Sequence, residues 1–214
     1  MFRQYRDFEP NEFIVVGGDC SQGGDDYNAC AFISKTKLDV PLVYHSRGVA
    51  ANMTSAIFPM LERIHNETRI KPVIALEQNN GGISEMERLS AMNRLSKYVC
   101  YQMPVIGNVD AGQLTRKLGY NTNTATRPVL LGDWKNAIDN MLIRIYDEAT
   151  INEHFSFIIN DKGKPEHEQN AHDDLIFAHA IAWQLYQTET PGDPHLAQRV
   201  KAANAERSKK WEIA

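Results

Sequence analysis

Three sets of carboxylates stand out in this 214-residue chain. Asp19 closes the apolar run Phe13-Ile-Val-Val-Gly-Gly, Glu77 closes Val73-Ile-Ala-Leu, and Asp173-Asp174 opens a late apolar stretch. The two runs read as short buried strands that end on a charge, and a buried charge is costly unless something compensates it. A divalent cation is the natural compensation. Mg²⁺ is held by a few carboxylates together with substrate phosphates. Acids delivered to one point by two strand ends and a helix start therefore suit metal-assisted phosphodiester chemistry.

The elements that must deliver them can be followed along the chain. Apolar segments 13–20 and 27–34 flank the Gly-rich turn Ser21-Gln-Gly-Gly-Asp-Asp26, which predicts a hairpin. A third strand is expected over Leu42–His45. Met53, Ile57, Met60, Leu61 and Ile64 recur at helical spacing and predict an amphipathic helix over 51–66. Val73–Glu77 returns as a central strand. Ser84-Glu-Met-Glu87 has the form of a capping box for a helix carrying Met86, Leu89 and Met92. A short strand is expected over 98–103, and the Gly- and Asn-rich residues 104–128 read as loop or hairpin. Asp133 is placed to cap a helix with Trp134, Ile138, Met141 and Leu142 on one face. Residues 160–170 lack any apolar side chain and read as an exposed excursion before a helix over 173–187. Thr-Pro-Gly-Asp-Pro beyond Thr188 breaks structure ahead of a charged tail.

Composition bounds the function. With 43% hydrophobic residues the chain can build one sizeable core, not two. Cys20, Cys30 and Cys100 are odd in number and show no CxxC spacing, so neither a disulfide framework nor a zinc site is suggested and a reducing cytoplasm fits. No apolar run approaches the ~20 residues that span a bilayer, and the N-terminus lacks a signal-peptide core. The net charge of −4 disfavours bulk electrostatic capture of nucleic acid. A metal-binding acidic centre subtracts charge, however, and a local basic patch can be hidden in the total.

Antiparallel strands, a helix and a further strand beside the first, with helices on both faces, is the pattern of a ribonuclease H-like α/β mixed sheet. Four motifs occur in order: Gly18-Asp-Cys-Ser-Gln-Gly-Gly-Asp-Asp-Tyr27, Glu77-Gln-Asn-Asn-Gly81, Leu118-Gly-Tyr-Asn-Thr-Asn123 and His172-Asp-Asp-Leu-Ile-Phe-Ala-His-Ala-Ile-Ala182. Together they resemble the nuclease domain of the large terminase subunit of tailed bacteriophages, over roughly residues 12–187. The same acids would also fit a RuvC-type resolvase. The resemblance implies that Asp19, Glu77 and one of Asp173 or Asp174 ligate catalytic Mg²⁺ or Mn²⁺, as two ions, with Asp26 a supporting acid. It implies double-stranded DNA as substrate, a linker remnant at 1–11, a nuclease domain at 12–188 and a charged tail at 189–214. It also implies an ATPase domain, a small terminase subunit and a portal as partners, in the cytoplasm of an infected bacterial host. No G-x-x-x-x-G-K-[ST] loop occurs, so no nucleotide is expected in this chain.

Helical geometry separates the adjacent acids. On a helix starting near His172, Asp174 shares a stripe with Ala178, Ile181 and Leu185, the face expected against the sheet, so Asp174 should face the metals. Asp173, about 100° away, suits capping or support. His172 is either a base or a helix-start residue, and His179 reads as a satisfied core histidine. Asp25 reads as a turn residue. Arg116, Lys117 and Arg127 flank the Gly/Asn-rich segment and are the candidates for phosphate contact, with Lys209-Lys210 in the tail a further possibility. Two other classes fit parts of the pattern: an actin-like nucleotide-binding fragment, of which only one half is here, and a non-catalytic DNA- or portal-docking module.

Overall fold

The computed structural model describes residues 1–104, 115–160, 165–169 and 171–192. The expectations placed on 105–114 and on the tail from 193, including Lys209-Lys210, lie outside the described residues. The elements are β1 (Phe2–Gln4), β2 (Ile14–Asp19), β3 (Tyr27–Ser34), β4 (Asp39–Arg47), α1 (Ala50–Thr68), β5 (Val73–Leu76), α2 (Gly82–Met92), β6 (Val99–Cys100), β7 (Gln102–Pro104), β8 (Arg116–Leu118), α3 (Thr126–Asp139), α4 (Glu148–Phe155), β9 (Phe157–Ile159), β10 (Pro165–His167) and α5 (Asp174–Thr188).

The main sheet runs β1-β4-β3-β2-β5-β6, antiparallel from β1 to β2 and parallel from β2 to β6. Because both faces are covered, β2 is buried at every position and cannot show polar alternation. Ile14 and Val16 join Met53, Ile57, Leu61 and Ile64 of α1 and Met86 and Leu89 of α2 on one side. Phe13 and Val15 join α3 and α5 on the other. This is an α/β mixed sheet with helices on both faces, as expected. No helix among the described residues is long and apolar enough to cross a membrane.

The packing of α5 fixes where the acids arrive. Leu175 to Trp183 are all buried, so α5 is apolar around its whole circumference, wedged between the sheet and α3. It can lie that close because β2 has no side chain at Gly17, where a Cβ would collide with the backbone of Ala178 and Ala182. The helix start is thereby laid over the end of β2, where Asp19 sits.

Several local expectations are corrected. Residues 1–11 are built into the domain: β1 pairs with β4, Arg3 and Tyr5 bind Asp147, and Arg6 pairs with Glu12 and Asp39. The helix expected from Ser84 begins at Gly82 on an N-cap Gly81, and no side-chain cap bond forms, so the capping box is not used. Asp133 lies inside α3, which starts seven residues earlier at Thr126, and accepts from Gln184 Nε2 at 2.7 Å. That start is set by Asn123, whose Oδ1 accepts from the backbone N–H groups of Ala125 and Thr126. Met141 and Leu142, expected on its buried face, lie beyond its end and are exposed. The strand over 98–103 splits into β6 and β7, and the excursion over 160–170 includes β10 paired to β9. Helix α4 was not expected at all.

Gly17→Ala should destabilise the fold by about 3 kcal/mol, the upper end for overpacking, because backbone rather than a flexible side chain must move. Urea denaturation checks this, and a loss under about 1 kcal/mol would mean that α5 does not depend on that contact.

Candidate metal centre

Parallel pairing brings the first two acids together. Gly18 pairs with Leu76, so Asp19 and Glu77 end adjacent strands at the same level, and the Glu77 N–H donates to Gly18 O at 2.8 Å. Helix α5 enters from above with Asp173 and Asp174, and the Gly-rich turn after β2 brings Asp26. All five line one cleft of about 660 Å³. Asp25 is exposed in the same turn and does not line it. Asp19 and Glu77 are buried at 9% and 8% exposure, so the carboxylates form the floor of the cleft and not its rim.

Asp173 and Asp174 part in their surroundings. Ala178, one turn beyond Asp174, is in contact with β2 at Gly17, so Asp174 continues the sheet-facing stripe. Phe177, one turn beyond Asp173, lies in the cleft beneath the Arg127 guanidinium, 4.5 Å from the ring centroid. Arg127 stands 3.9 Å from the Asp173 carboxylate. The capping role expected of Asp173 is not filled by its side chain, although it occupies the N-cap position. Glu153 of α4 takes it instead: its Oε2 accepts from the N–H groups of Leu175 at 2.9 Å and Ile176 at 3.3 Å.

The electrostatics are those of crowded, desolvated acids. Burial pushes the Asp19 carboxyl well above the ordinary range, and the charges of Glu77, Asp174 and Asp173 push the same way. Burial, then Asp173 and Asp26, raise Asp174 to about 7, and burial with Asp174 raises Glu153 to about 8. Asp173 is raised by burial and restrained by His167 and Arg127. Each shift measures how strongly the site resists negative charge, which a divalent cation would relieve. An all-oxygen set at Asp19, Glu77, Asp26, Asp173 and Asp174 fits a hard ion such as Mg²⁺ or Mn²⁺.

The basic candidates do not gather at one place. Arg127 lines the cleft, and its Nη2 also donates to Pro165 O at 3.3 Å. Arg116 and Lys117 lie on β8, exposed, in the β7–β8 hairpin and outside the cleft lining. That hairpin is tethered beside the centre, since the Gln78 N–H donates to Tyr120 O at 2.8 Å. His172 lies in the cleft, with Nδ1 3.7 Å from Asp174 Oδ2 and its ring edge-on to Tyr27. His179 is buried away from the cleft lining, with Nδ1 2.7 Å from Leu175 O and Nε2 unpartnered against Trp134, so it is a core histidine satisfied on one side only.

Three participants lie outside the candidate site residues. Asn79 Nδ2 donates to Glu77 Oε1 at 3.0 Å and to Thr122 O at 3.1 Å, tying the carboxylate to the segment after β8. Glu153 escapes because α4 does; Asp147, which accepts from the Thr150 N–H, was the available N-cap signal. His45 closes the row Asp19–Ala29–His45 across neighbouring strands, a juxtaposition that needs the register.

No protein-family model matches the sequence, and no curated protein matches it. Solved structures do. The large terminase nuclease of thermophilic phage G20c with bound cobalt superposes with a TM-score of 0.62 at 14% identity, covering 87% of each chain. The human cytomegalovirus terminase nuclease domain, soaked in Mn, gives 0.56 at 14% identity over 90% of this chain and 88% of that one. The P22 large terminase nuclease domain gives 0.54 at 11%, covering 86% and 87%. The chain has the ribonuclease H-like fold that these nuclease domains share.

Metal-free protein should lose stability as pH rises from 6.5 to 8. Asp174 and Glu153 carry raised folded-state pKa values, so the native state binds more protons than the unfolded chain there, and their contribution fades through about 7 and 8. His45 and His179, held neutral by burial with pKa values near 4, act in the opposite sense, but below pH 6.5. Thermal melts in EDTA should show this decline, and saturating Mn²⁺ should flatten it. A metal-free melting temperature that rises over this window would contradict the burial of these acids.

Proposed function

We propose that this chain is the nuclease part of a viral DNA-packaging terminase, a Mg²⁺- or Mn²⁺-dependent endonuclease that cuts concatemeric double-stranded DNA into genome lengths. The observation that carries the reading is the convergence of Asp19, Glu77, Asp173, Asp174 and Asp26 on one cleft. The likeness to nuclease domains of phage and herpesvirus terminases supports it. An actin-like nucleotide fold or a passive docking module gives no reason to gather so many acids at one point.

In this reading two divalent ions, when bound, lower the pKa of an attacking water and stabilise the departing oxygen. Asp19, at the end of the middle strand and under the charges of Glu77, Asp174 and Asp173, would be the central residue holding the ions. Glu77, held by Asn79, and Asp174, held by the packing of α5, complete the set. Asp26 and Asp173 support it. Arg127 contacts a phosphate beside the cleft, and Arg116 and Lys117 contact the backbone further along the duplex. An ATPase domain, a small subunit and a portal are the partners, in the cytoplasm of an infected bacterium.

The protein should nick and linearise plasmid DNA with Mn²⁺ or Mg²⁺, and Asp19→Asn and Glu77→Gln should each abolish this while melting no earlier than wild type. Cleavage that persists in excess EDTA would remove the metal mechanism. Asp174→Asn should also be inactive, whereas Asp173→Asn should keep a measurable fraction of activity. The reverse pattern at saturating Mn²⁺ would exchange their roles.

Arg127→Ala should weaken DNA binding and reduce the slope of log K against log salt by about 0.9, the value for one phosphate contact. Replacing Arg116 and Lys117 as well should remove about two further units. An unchanged slope would put the duplex on another face.

A further inference from the structure

We propose that His45, Glu153 and Asp174 form a second kind of cation site, one that prefers an ion accepting nitrogen, such as Zn²⁺ or Co²⁺, and shares Asp174 with the cleft. One ligand atom from each of the three lies within 4.8 Å of the others. His45, Ala29 and Asp19 occupy one cross-strand row on the face that α5 covers. Ala29, with a single methyl, leaves room between the two ends of that row. Asp174 at the start of α5 therefore meets Asp19 on one side and His45 on the other.

The independent sign of a missing partner is the imidazole itself. His45 Nε2 has no contact with solvent and no hydrogen-bond partner, in an imidazole that stands beside two carboxylates. A buried polar atom in that position is costly, and the cost disappears if it donates its lone pair to a cation. The ring is already held against Tyr27, tilted by 31° with centroids 4.3 Å apart. Glu153 is fixed as well: the two backbone N–H groups of α5 bind Oε2, leaving Oε1 outside those bonds. Ligands at ~2.0–2.2 Å from a common ion stand about 3–3.5 Å apart, so a small inward rotation suffices to close the set.

The donor chemistry distinguishes this set from its neighbour. Asp19 and Glu77 offer oxygen alone and suit Mg²⁺, whereas one imidazole with two carboxylates favours a transition ion. The two negative charges on Glu153 and Asp174 match one dication. The proposal rests on the nuclease reading only through the shared Asp174.

The test uses the Asp19→Asn chain, in which the neighbouring site is disabled. Crystals soaked in Co²⁺ should show an anomalous peak, at the cobalt edge, between the His45 imidazole and the carboxylates of Glu153 and Asp174. In solution, that chain should bind Co²⁺ with an affinity that falls about tenfold or more on adding either His45→Gln or Glu153→Gln. Mg²⁺ in large excess should not displace the ion. No peak at His45, or a Co²⁺ affinity unmoved by His45→Gln and by Glu153→Gln, overturns the proposal. Cobalt at His45 in a chain whose wild type cuts no DNA would defeat the nuclease reading alone, and cutting without cobalt there would defeat this one alone.

Discussion

The cost of holding Asp19 in the floor of the cleft shapes everything around it. A carboxylate that is nine-tenths buried and surrounded by Glu77, Asp173 and Asp174 cannot keep its charge cheaply. Either protons stay on the acids or cations take their place. Uptake of metal here would exchange protons for ions, and the raised values at Asp174 and Glu153 would then fall with it. Hydrophobic packing must hold this unfavourable cluster together. The apolar α5, pressed on Gly17, supplies that force where it is needed.

A chain of contacts extends that support to the far end of the sequence. Arg3 in the edge strand β1 and Tyr5 just after it bind the buried Asp147, whose Oδ2 also accepts from the Thr150 N–H and so caps α4. Helix α4 presents Glu153, and Glu153 caps α5 with the N–H groups next to Asp174. Residues near the N-terminus therefore position an acid near the other end of the chain by four short steps, none of them in the cleft. Substitutions at Arg3 or Asp147 would act on the centre without touching a ligand. A hydrogen-bonded charge with several partners transmits position well because each bond is directional.

What the sequence made legible follows from how local each signal is. The strands ending at Asp19 and Glu77, and the helix starting at Asp173-Asp174, are continuous apolar runs whose charged ends are visible by inspection. Their meeting followed from the strand order of a known fold. Helix α4 was missed because its eight residues carry only one fully buried side chain, Thr150, and so show no apolar stripe. Asp133 looked like a cap because Asp before an apolar run is a common helix start, but Asn123 makes the bonds that begin α3. His45 could not be singled out at all: its place in the row with Asp19 depends on the registers of two strand pairs, which no local pattern encodes.

The distribution of charge has a consequence for how a polyanion could approach. The chain is acidic overall, and among the described residues its cleft concentrates acids against a single lining arginine, Arg127. Phosphate would be repelled from that floor as long as the acids stay ionised and bare. Arg127 is also engaged, lying over Phe177 and near Asp173, so part of its charge is already spent on the protein. Cations in the cleft would reverse both effects, turning the floor attractive and releasing Arg127 from Asp173 by neutralising that acid. Metal and duplex would then bind with positive coupling, each raising the affinity of the other by the same factor. The acidic composition is therefore compatible with the proposed DNA-cutting role and would make grip on a duplex conditional on bound ions.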